Sequence, residues 1–263
     1  MDKILLYKVD TFTDKLFSGN TAAVCPLNKW LPDDIMQSIA FENNLSETAF
    51  FKLDDDEVHI RWFTPKIEIE LCGHATLASA HIIYNEIGYK KEKLIFNTSF
   101  GEKLTVFKEN NFFSMDFPSS EPEKSDIDIE IIKNVLRANP YDFLTGIYGL
   151  AIFNTQEEIT AISPNFDLFE NLPYKGIIVT APGNNTDFVS RFFGPNLGIK
   201  EDPVTGSAHC LLIPYWHKRL KKNQMIAHQL SSRGGELFCS YHKDRVKIGG
   251  KAVTFLKGEI ILS

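Results

Sequence analysis

Three side chains that can donate or accept a proton lie where the sequence pattern predicts the start of a strand or a helix. Glu47 directly precedes the apolar segment TAFF, whereas His74 and Asp202 each precede a segment rich in Ala, Gly and Ser. Burial raises the pKa of a carboxyl group and suits it to general acid–base work, and histidine titrates near neutrality. Each residue also has a structural interpretation: Glu47 as an exposed strand-edge residue, His74 as a structural hydrogen-bonding group, and Asp202 as a helix N-cap.

The two small-residue segments, GHATLASAH and PVTGSAHCLL, predict helices whose first turns contain Gly73, Gly206 and Ser207. Free backbone N–H groups and the positive end of the helix dipole make such a start a site for an anion. A substrate carboxylate or a developing enolate would fit there. The alternative is that Gly and Ser only begin the helices, as they commonly do.

Strand-like and short helical segments alternate along the chain, which predicts an α+β fold. Pro32 and helical spacing of apolar residues predict one amphipathic helix, and a second, mostly apolar one is expected to be buried. The expected elements of the first part are the strands Lys3–Thr11, Thr48–Leu53 and Glu57–Phe63 and the helices Asp33–Asn43 and Gly73–Glu86.

The chain contains an internal repeat at an offset of 130 positions. RWFTPKIEIELC at 61–72 aligns without a gap with RFFGPNLGIKED at 191–202, and each copy leads into one of the small-residue helices. The polar, Pro-containing stretch 117–128 predicts a surface connection. We therefore expect an N-terminal lobe at 1–117 and a C-terminal lobe at 129–263, whose last strand is free to cross back to the first lobe. Two pseudo-symmetric lobes, each a β-barrel around a central helix, would leave a ligand cleft between them.

Composition narrows the class of protein. The 263 residues are 43% hydrophobic with a net charge of −6, so nucleic acid is not an expected partner. No signal core or apolar run long enough for a membrane span occurs, which predicts a cytoplasmic protein without a membrane partner. The four cysteines have no CxxC spacing, which argues against a metal site and a disulfide scaffold.

Six motifs in order resemble the phenazine biosynthesis PhzF-like family, which shares its fold with diaminopimelate epimerase: FSGNTAAV (17–24), NNLSETAFF (43–51), RWFTP (61–65), LCGHATLASAH (71–81), EDPVTGSAH (201–209) and SSRGGEL (231–237). The resemblance implies two barrel lobes and a homodimer. It implies a catalytic Glu47, His74 and Asp202, with Asn20 and Ser207 near the substrate. Thr21 replaces the proline that usually follows the asparagine.

The residues and the resemblance together predict a cofactor-independent isomerase that moves a proton between carbons of a small carboxylate-bearing substrate. Glu47 would be the general acid/base, and His74 and Asp202 would assist. One alternative is an amino-acid epimerase that uses Cys72 and Asp202, because Cys72 occupies the place of the first catalytic cysteine of diaminopimelate epimerases and proline racemases. The other is a non-catalytic small-molecule binding or interaction protein on the same fold.

Overall fold

The structure, a computed structural model, describes residues 2–54 and 57–262. The chain forms two compact units, one comprising Met1–Asp116 with Gly249–Ser263 and the other Phe117–Ile248. The last strand, which the prediction allowed to cross back from the C-terminal lobe, belongs to the first unit, where it pairs along the first strand. Within the described residues, no helix is long and apolar enough to cross a membrane.

In the first part of the chain, the described residues form eight strands, two α-helices and a π-helical turn. In chain order these are β1 (Asp2–Thr11), β2 (Asn20–Pro26), α1 (Asp33–Asn43), β3 (Thr48–Asp54), β4 (Glu57–Phe63), β5 (Glu68–Ile69), α2 (Gly73–Ile82), the π-helix Ile83–Ile87, β6 (Lys93–Thr98), β7 (Lys103–Glu109) and β8 (Phe112–Pro118).

The rest of the chain, as far as residue 262, forms ten strands, three α-helices and two 3₁₀ turns. In chain order these are β9 (Glu123–Lys124), α3 (Ile129–Leu136), β10 (Asp142–Thr145), β11 (Gly149–Ile152), α4 (Gln156–Ala161), the 3₁₀ turn Phe166–Asn171, β12 (Ile177–Pro182), β13 (Phe188–Gly194), the 3₁₀ turn Pro195–Leu197, β14 (Ile199–Asp202), α5 (Gly206–Leu220), β15 (Gln224–Gln229), β16 (Gly235–His242), β17 (Arg245–Gly250) and β18 (Ala252–Leu262).

The two units pair their strands in the same order and sense, which confirms the internal repeat. In the first unit β2 is antiparallel to β1 and parallel to β3, and β4 is antiparallel to β3 and β5 and parallel to β6. In the second unit β10 to β15 repeat those relations, with β13 in the place of β4. The aligned arginines also correspond, because Arg61 pairs with Glu68 and Arg191 with Glu201 through two N–H groups each.

Helices α1 and α2 begin where the sequence predicts. α1 follows Pro32, carries two aspartates in its first turn, and ends at Asn44 in the left-handed conformation. α2 begins at Gly73, but its α-helical part ends at Ile82 and the predicted remainder is the π-helix, which Gly88 ends at φ 83°. Every residue of α2 after Gly73 is buried, and the helix packs against β1, β2, β3 and β18. α2 is therefore the central helix of the first unit.

Helix α5 is the corresponding helix of the second unit and contains a proline. Pro214 has no N–H to donate to the carbonyl of Cys210, four residues earlier. The backbone N–H of Ser120 donates to that carbonyl instead, at 3.0 Å. The segment predicted as a surface connection thus supplies a hydrogen bond to the central helix, and it also contains the short strand β9, which pairs with β10.

Candidate functional site

Glu47 is held at the end of a tight return between α1 and β3. Its carbonyl accepts a hydrogen bond from the backbone N–H of Ala23 on β2, which runs parallel to β3. The left-handed Asn44 turns the chain out of α1, and the Asn43 side-chain amide donates to the hydroxyl of Thr48. The backbone on both sides of Glu47 is therefore anchored to regular structure, and its side chain is only 14% exposed.

The Glu47 side chain meets the first turn of α2. Its Oε2 atom lies 3.1 Å from His74 Nε2, and the other imidazole nitrogen, Nδ1, lies 3.5 Å from Cys72 Sγ. The contact between Glu47 and His74 is an ion pair without hydrogen-bond alignment, so within the described residues neither of these buried atoms has a hydrogen-bond partner. An acid, an imidazole and a thiol thus meet in one buried cluster.

Electrostatics and burial in this cluster raise the pKa of both the imidazole and the thiol. Burial lowers the pKa of His74, but the acidic groups of Cys72 and Glu47 outweigh it, and the pKa lies well above its ordinary value. Burial is also the largest effect on Cys72, and together with the charge of Glu47 it raises the pKa of the thiol. A raised pKa leaves little thiolate at neutral pH, which disfavours Cys72 as a proton-abstracting base.

Helices α2 and α5 both begin without a side-chain cap. Cys72 and Thr205 hold extended backbone before the first turn, and neither side chain accepts a hydrogen bond from its own helix in the described structure. Gly73 and Gly206 are the first helical residues, followed by His74 and Ser207. The first-turn N–H groups of each helix can therefore serve an anionic ligand.

Asp202 lies at the end of β14 and is 8% exposed. Its Oδ2 accepts a 2.6 Å hydrogen bond from the hydroxyl of Thr205. The Gln229 side chain donates to the Asp202 carbonyl at 2.8 Å and accepts from the Thr205 backbone N–H at 2.9 Å. The N-cap position of α5 is held by Thr205, whereas the structural interpretation had placed Asp202 there. A buried network fixes it beside the start of that helix.

Ser207 has a partner that the sequence did not predict. The hydroxyl of Tyr148, just before β11, lies 3.0 Å from Ser207 Oγ. Burial raises the pKa of the Tyr148 phenol, and the charge of Asp202 raises it further, although the hydrogen bond with Ser207 opposes the shift. A Cβ added at Gly206 would meet nothing within 4 Å, so packing does not require glycine there.

Asn20 is buried at the start of β2, three residues before Ala23. Its backbone carbonyl accepts the hydroxyl of Thr11, and the preceding Gly19 has φ 69°. A Cβ at Gly19 would lie 2.0 Å from the Thr11 carbonyl oxygen, so this loop requires glycine. Asn20 therefore lies on β2 directly after a fixed turn of the first unit.

The structure brings some of the predicted residues together. Glu47 and His74 form one cluster with Cys72 at the start of α2 in the first unit, which also holds Gly73 and Asn20. In the second unit, Asp202 joins the start of α5, where Gly206 and Ser207 lie. Sequence reasoning missed the residues that hold this second group, namely Tyr148, Thr205 and Gln229.

Comparison with solved structures confirms the predicted class of fold. A Pseudomonas aeruginosa protein described as a predicted epimerase has a TM-score of 0.75 with this chain at 17% identity, covering 99% of this chain and 100% of the other. At that identity the similarity shows the fold alone. The fold is the α+β, diaminopimelate epimerase-like arrangement with a central helix in each unit.

The family is shown by closer matches. The family model described as phenazine biosynthesis-like protein, PhzC-PhzF, matches residues 9–258. An uncharacterized isomerase of Pseudomonas aeruginosa is 45% identical over 258 residues, with 98% of each chain covered. The crystal structure of a PhzF-family protein from Enterococcus faecalis has a TM-score of 0.96 at 44% identity, covering 99% of this chain and 100% of that one. The chain belongs to the phenazine biosynthesis-like PhzC-PhzF family, as the motifs predicted.

Proposed function

We propose that the protein is an isomerase that moves a proton between carbons of a small carboxylate-bearing, cyclic and unsaturated substrate. The main support is the partly buried Glu47 carboxylate, whose Oε2 atom lies 3.1 Å from His74 Nε2 at the start of α2. The name of the Pseudomonas aeruginosa relative supports the general class, isomerase.

In the proposed reaction Glu47 takes a proton from one carbon and returns it to another. The electron pair left behind shifts the double bond, so the substrate and product are isomers and no oxidant or reductant is consumed. His74, with its raised pKa, supplies a positive charge beside the reacting carboxylate. Because proton transfer by a positioned side chain accounts for the whole step, the mechanism is cofactor-independent and uses no metal.

Negative charge on the substrate would be held by backbone N–H groups. We assign the substrate carboxylate, or the charge that develops on proton removal, to the uncapped first turns at Gly73, Gly206 and Ser207. Asn20 would contact the substrate from the start of β2. Asp202 would position the substrate or assist transfer, and its network with Thr205 would keep it in place. We also propose that the protein is a homodimer and is located in the cytoplasm.

The epimerase alternative would use Cys72 and Asp202 as opposed bases. It requires a thiolate, and burial raises the pKa of the Cys72 thiol. The binding-protein alternative requires no turnover. These functions give different results in one exchange experiment.

That experiment incubates wild-type protein with a panel of amino and hydroxy carboxylates and unsaturated cyclic acids in D₂O and follows each compound by proton NMR. The proposal predicts deuterium uptake with movement of a double bond in at least one of them. Glu47→Gln should abolish the exchange, whereas Glu42→Gln, on the exposed face of α1, should not change it. Inversion at a carbon bearing the carboxylate, lost on Cys72→Ser, would instead establish the epimerase. Binding without exchange in any compound would favour the binding protein.

A further inference from the structure

The cluster at the start of α2 offers three types of metal ligand. A carboxylate oxygen of Glu47, the sulfur of Cys72 and an imidazole nitrogen of His74 lie within 4.8 Å of one another, among the residues that the structure describes. Thiolate, imidazole and carboxylate are the ligands that zinc prefers in proteins.

The distance between the sulfur and the imidazole matches a zinc site. Zinc bonds of about 2.3 Å to sulfur and about 2.0 Å to nitrogen, at a tetrahedral angle, place the two ligand atoms about 3.5 Å apart. Cys72 Sγ and His74 Nδ1 are hydrogen-bonded at 3.5 Å. An ion that takes the place of the shared proton would therefore find the two ligand atoms at the separation that zinc requires.

The opposite side of the imidazole supplies a second, independent observation. Zinc-bound histidines usually direct their other ring nitrogen toward a carboxylate or carbonyl, which fixes the ring. His74 Nε2 faces Glu47 Oε2 at 3.1 Å, and this nitrogen is buried and has no hydrogen-bond partner within the described residues. The His74 side chain is 9% exposed. A small rotation that aligns the two atoms would complete this arrangement.

We propose that Cys72 and His74 form a binding site for Zn²⁺, with Glu47 as the positioning residue for the imidazole. Binding converts the thiol into a sulfur–zinc bond and removes the proton from His74 Nδ1, and these protons pass to solvent. Water fills the remaining coordination positions. The ion thereby takes the imidazole out of its protonated form. If the proposed function is right, Zn²⁺ is an inhibitor of the isomerase that acts through its own acid–base pair.

The test uses Co²⁺ as a spectroscopic probe for Zn²⁺, because a cobalt–thiolate bond gives an intense charge-transfer absorption. Purified chain, treated with a chelator and then freed of it, is titrated with Co²⁺, followed by displacement with Zn²⁺. The proposal predicts one charge-transfer band that Zn²⁺ removes. It also predicts that binding releases protons, so the heat of Zn²⁺ binding measured by titration calorimetry should depend on the ionisation enthalpy of the buffer. Because the readout is absorption, it does not depend on the enzyme having any activity.

Variants assign the ligands. The band should disappear in Cys72→Ser, Cys72→Ala and His74→Asn, and persist in Cys239→Ser, a buried cysteine in the other unit. Glu47→Gln should keep the band but bind about 10–100-fold more weakly, the usual effect of losing the carboxylate behind a metal-bound histidine. Thermal unfolding of each variant verifies folding, and two substitutions at Cys72 guard against one that fails to fold.

Several results would overturn the proposal. They are the absence of a charge-transfer band in wild type, a band that persists in Cys72→Ser or Cys72→Ala, a band lost in Cys239→Ser as in the Cys72 variants, and an unchanged affinity for Co²⁺ in Glu47→Gln. Each isomerase rate with zinc is compared with the rate of the same protein in chelator. Zinc binding that does not lower the rate would confirm the zinc site but contradict the proposed function of Glu47 and His74. The two proposals therefore fail in distinguishable ways.

Discussion

Replacing Glu47 by glutamine removes the proposed proton carrier with little change in shape. Glutamine keeps the length and hydrogen-bonding capacity of the side chain but accepts no proton at neutral pH. Positioned general acid–base catalysis contributes about 10²–10⁴-fold, or about 3–5 kcal/mol of barrier. We expect kcat to fall by that factor. KM should change little, because the substrate carboxylate is assigned to backbone N–H groups elsewhere.

The same substitution has a second consequence that needs no substrate. Glu47 is one of the acidic groups that raise the pKa of His74, and the neutral amide carries no charge to do so. The pKa of His74 should therefore fall in Glu47→Gln. Proton and nitrogen NMR of the imidazole over a pH series measures this directly.

The kinetic assay uses the carboxylate that wild-type protein deuterates, with initial rates of exchange giving kcat and KM. Glu42→Gln, an equivalent change on an exposed position of α1, is the matched control. Retention of kcat within about tenfold in Glu47→Gln, with the His74 pKa lowered as expected, would show that proton transfer uses another group. That result would refute the assignment of Glu47 while leaving the geometry of the cluster correct.

Four further perturbations follow from the structure. Cys72→Ser should keep most of the isomerase activity, and a loss above about 100-fold in a folded protein would favour the epimerase. Tyr148→Phe removes the hydrogen bond to Ser207, worth about 1 kcal/mol, and should raise KM about fivefold with kcat nearly unchanged; a fall in kcat alone would contradict a positioning role. Burial lowers the pKa of His209 to about 4, so the unfolded chain binds the proton first as pH falls, and stability should drop by about 3 kcal/mol between about pH 6.5 and pH 4. Urea unfolding at both pH values should show less pH dependence in His209→Asn than in wild type. Gly19→Ala should lower the free energy of unfolding by more than about 1 kcal/mol, because φ is positive and the added Cβ would clash with a backbone carbonyl; an unchanged urea midpoint would show that the loop can move.

Local patterns predicted the elements that carry their own signals. The bounds of α1 agree with the prediction at both ends, because Pro32 and the spacing of apolar residues act within the helix itself. The gap-free repeat predicted the shared strand order, since Arg61 and Arg191 each mark the same strand and pair with a glutamate on the next. Such signals lie within a few residues of the structure that they specify.

The partners of the predicted residues could not be found in this way. Tyr148 reaches Ser207 from 59 positions away, and Gln229 reaches Asp202 from 27. The sequence around Tyr148 and around Gln229 has no periodicity or spacing that marks these residues as functional. Their contacts form only after strands that are distant in the sequence have paired. The change from α-helix to π-helix after Ile82 likewise has no local marker, because the segment IYNEI fits either geometry.

The repeated helices explain why a duplicated fold does not imply a symmetric reaction. Both begin with extended backbone followed by a glycine, so each unit presents the same free N–H groups to an anion. The neighbouring side chains differ: Cys72 and His74 are titratable, whereas Thr205 and Ser207 carry hydroxyls, and Thr205 is already bound to Asp202. A racemase with two equivalent bases needs matched proton carriers in both units. Among the described residues, the start of α5 has no counterpart of the contact between Glu47 and His74. The proposal therefore assigns removal and return of the proton to one group, Glu47, rather than to two matched bases.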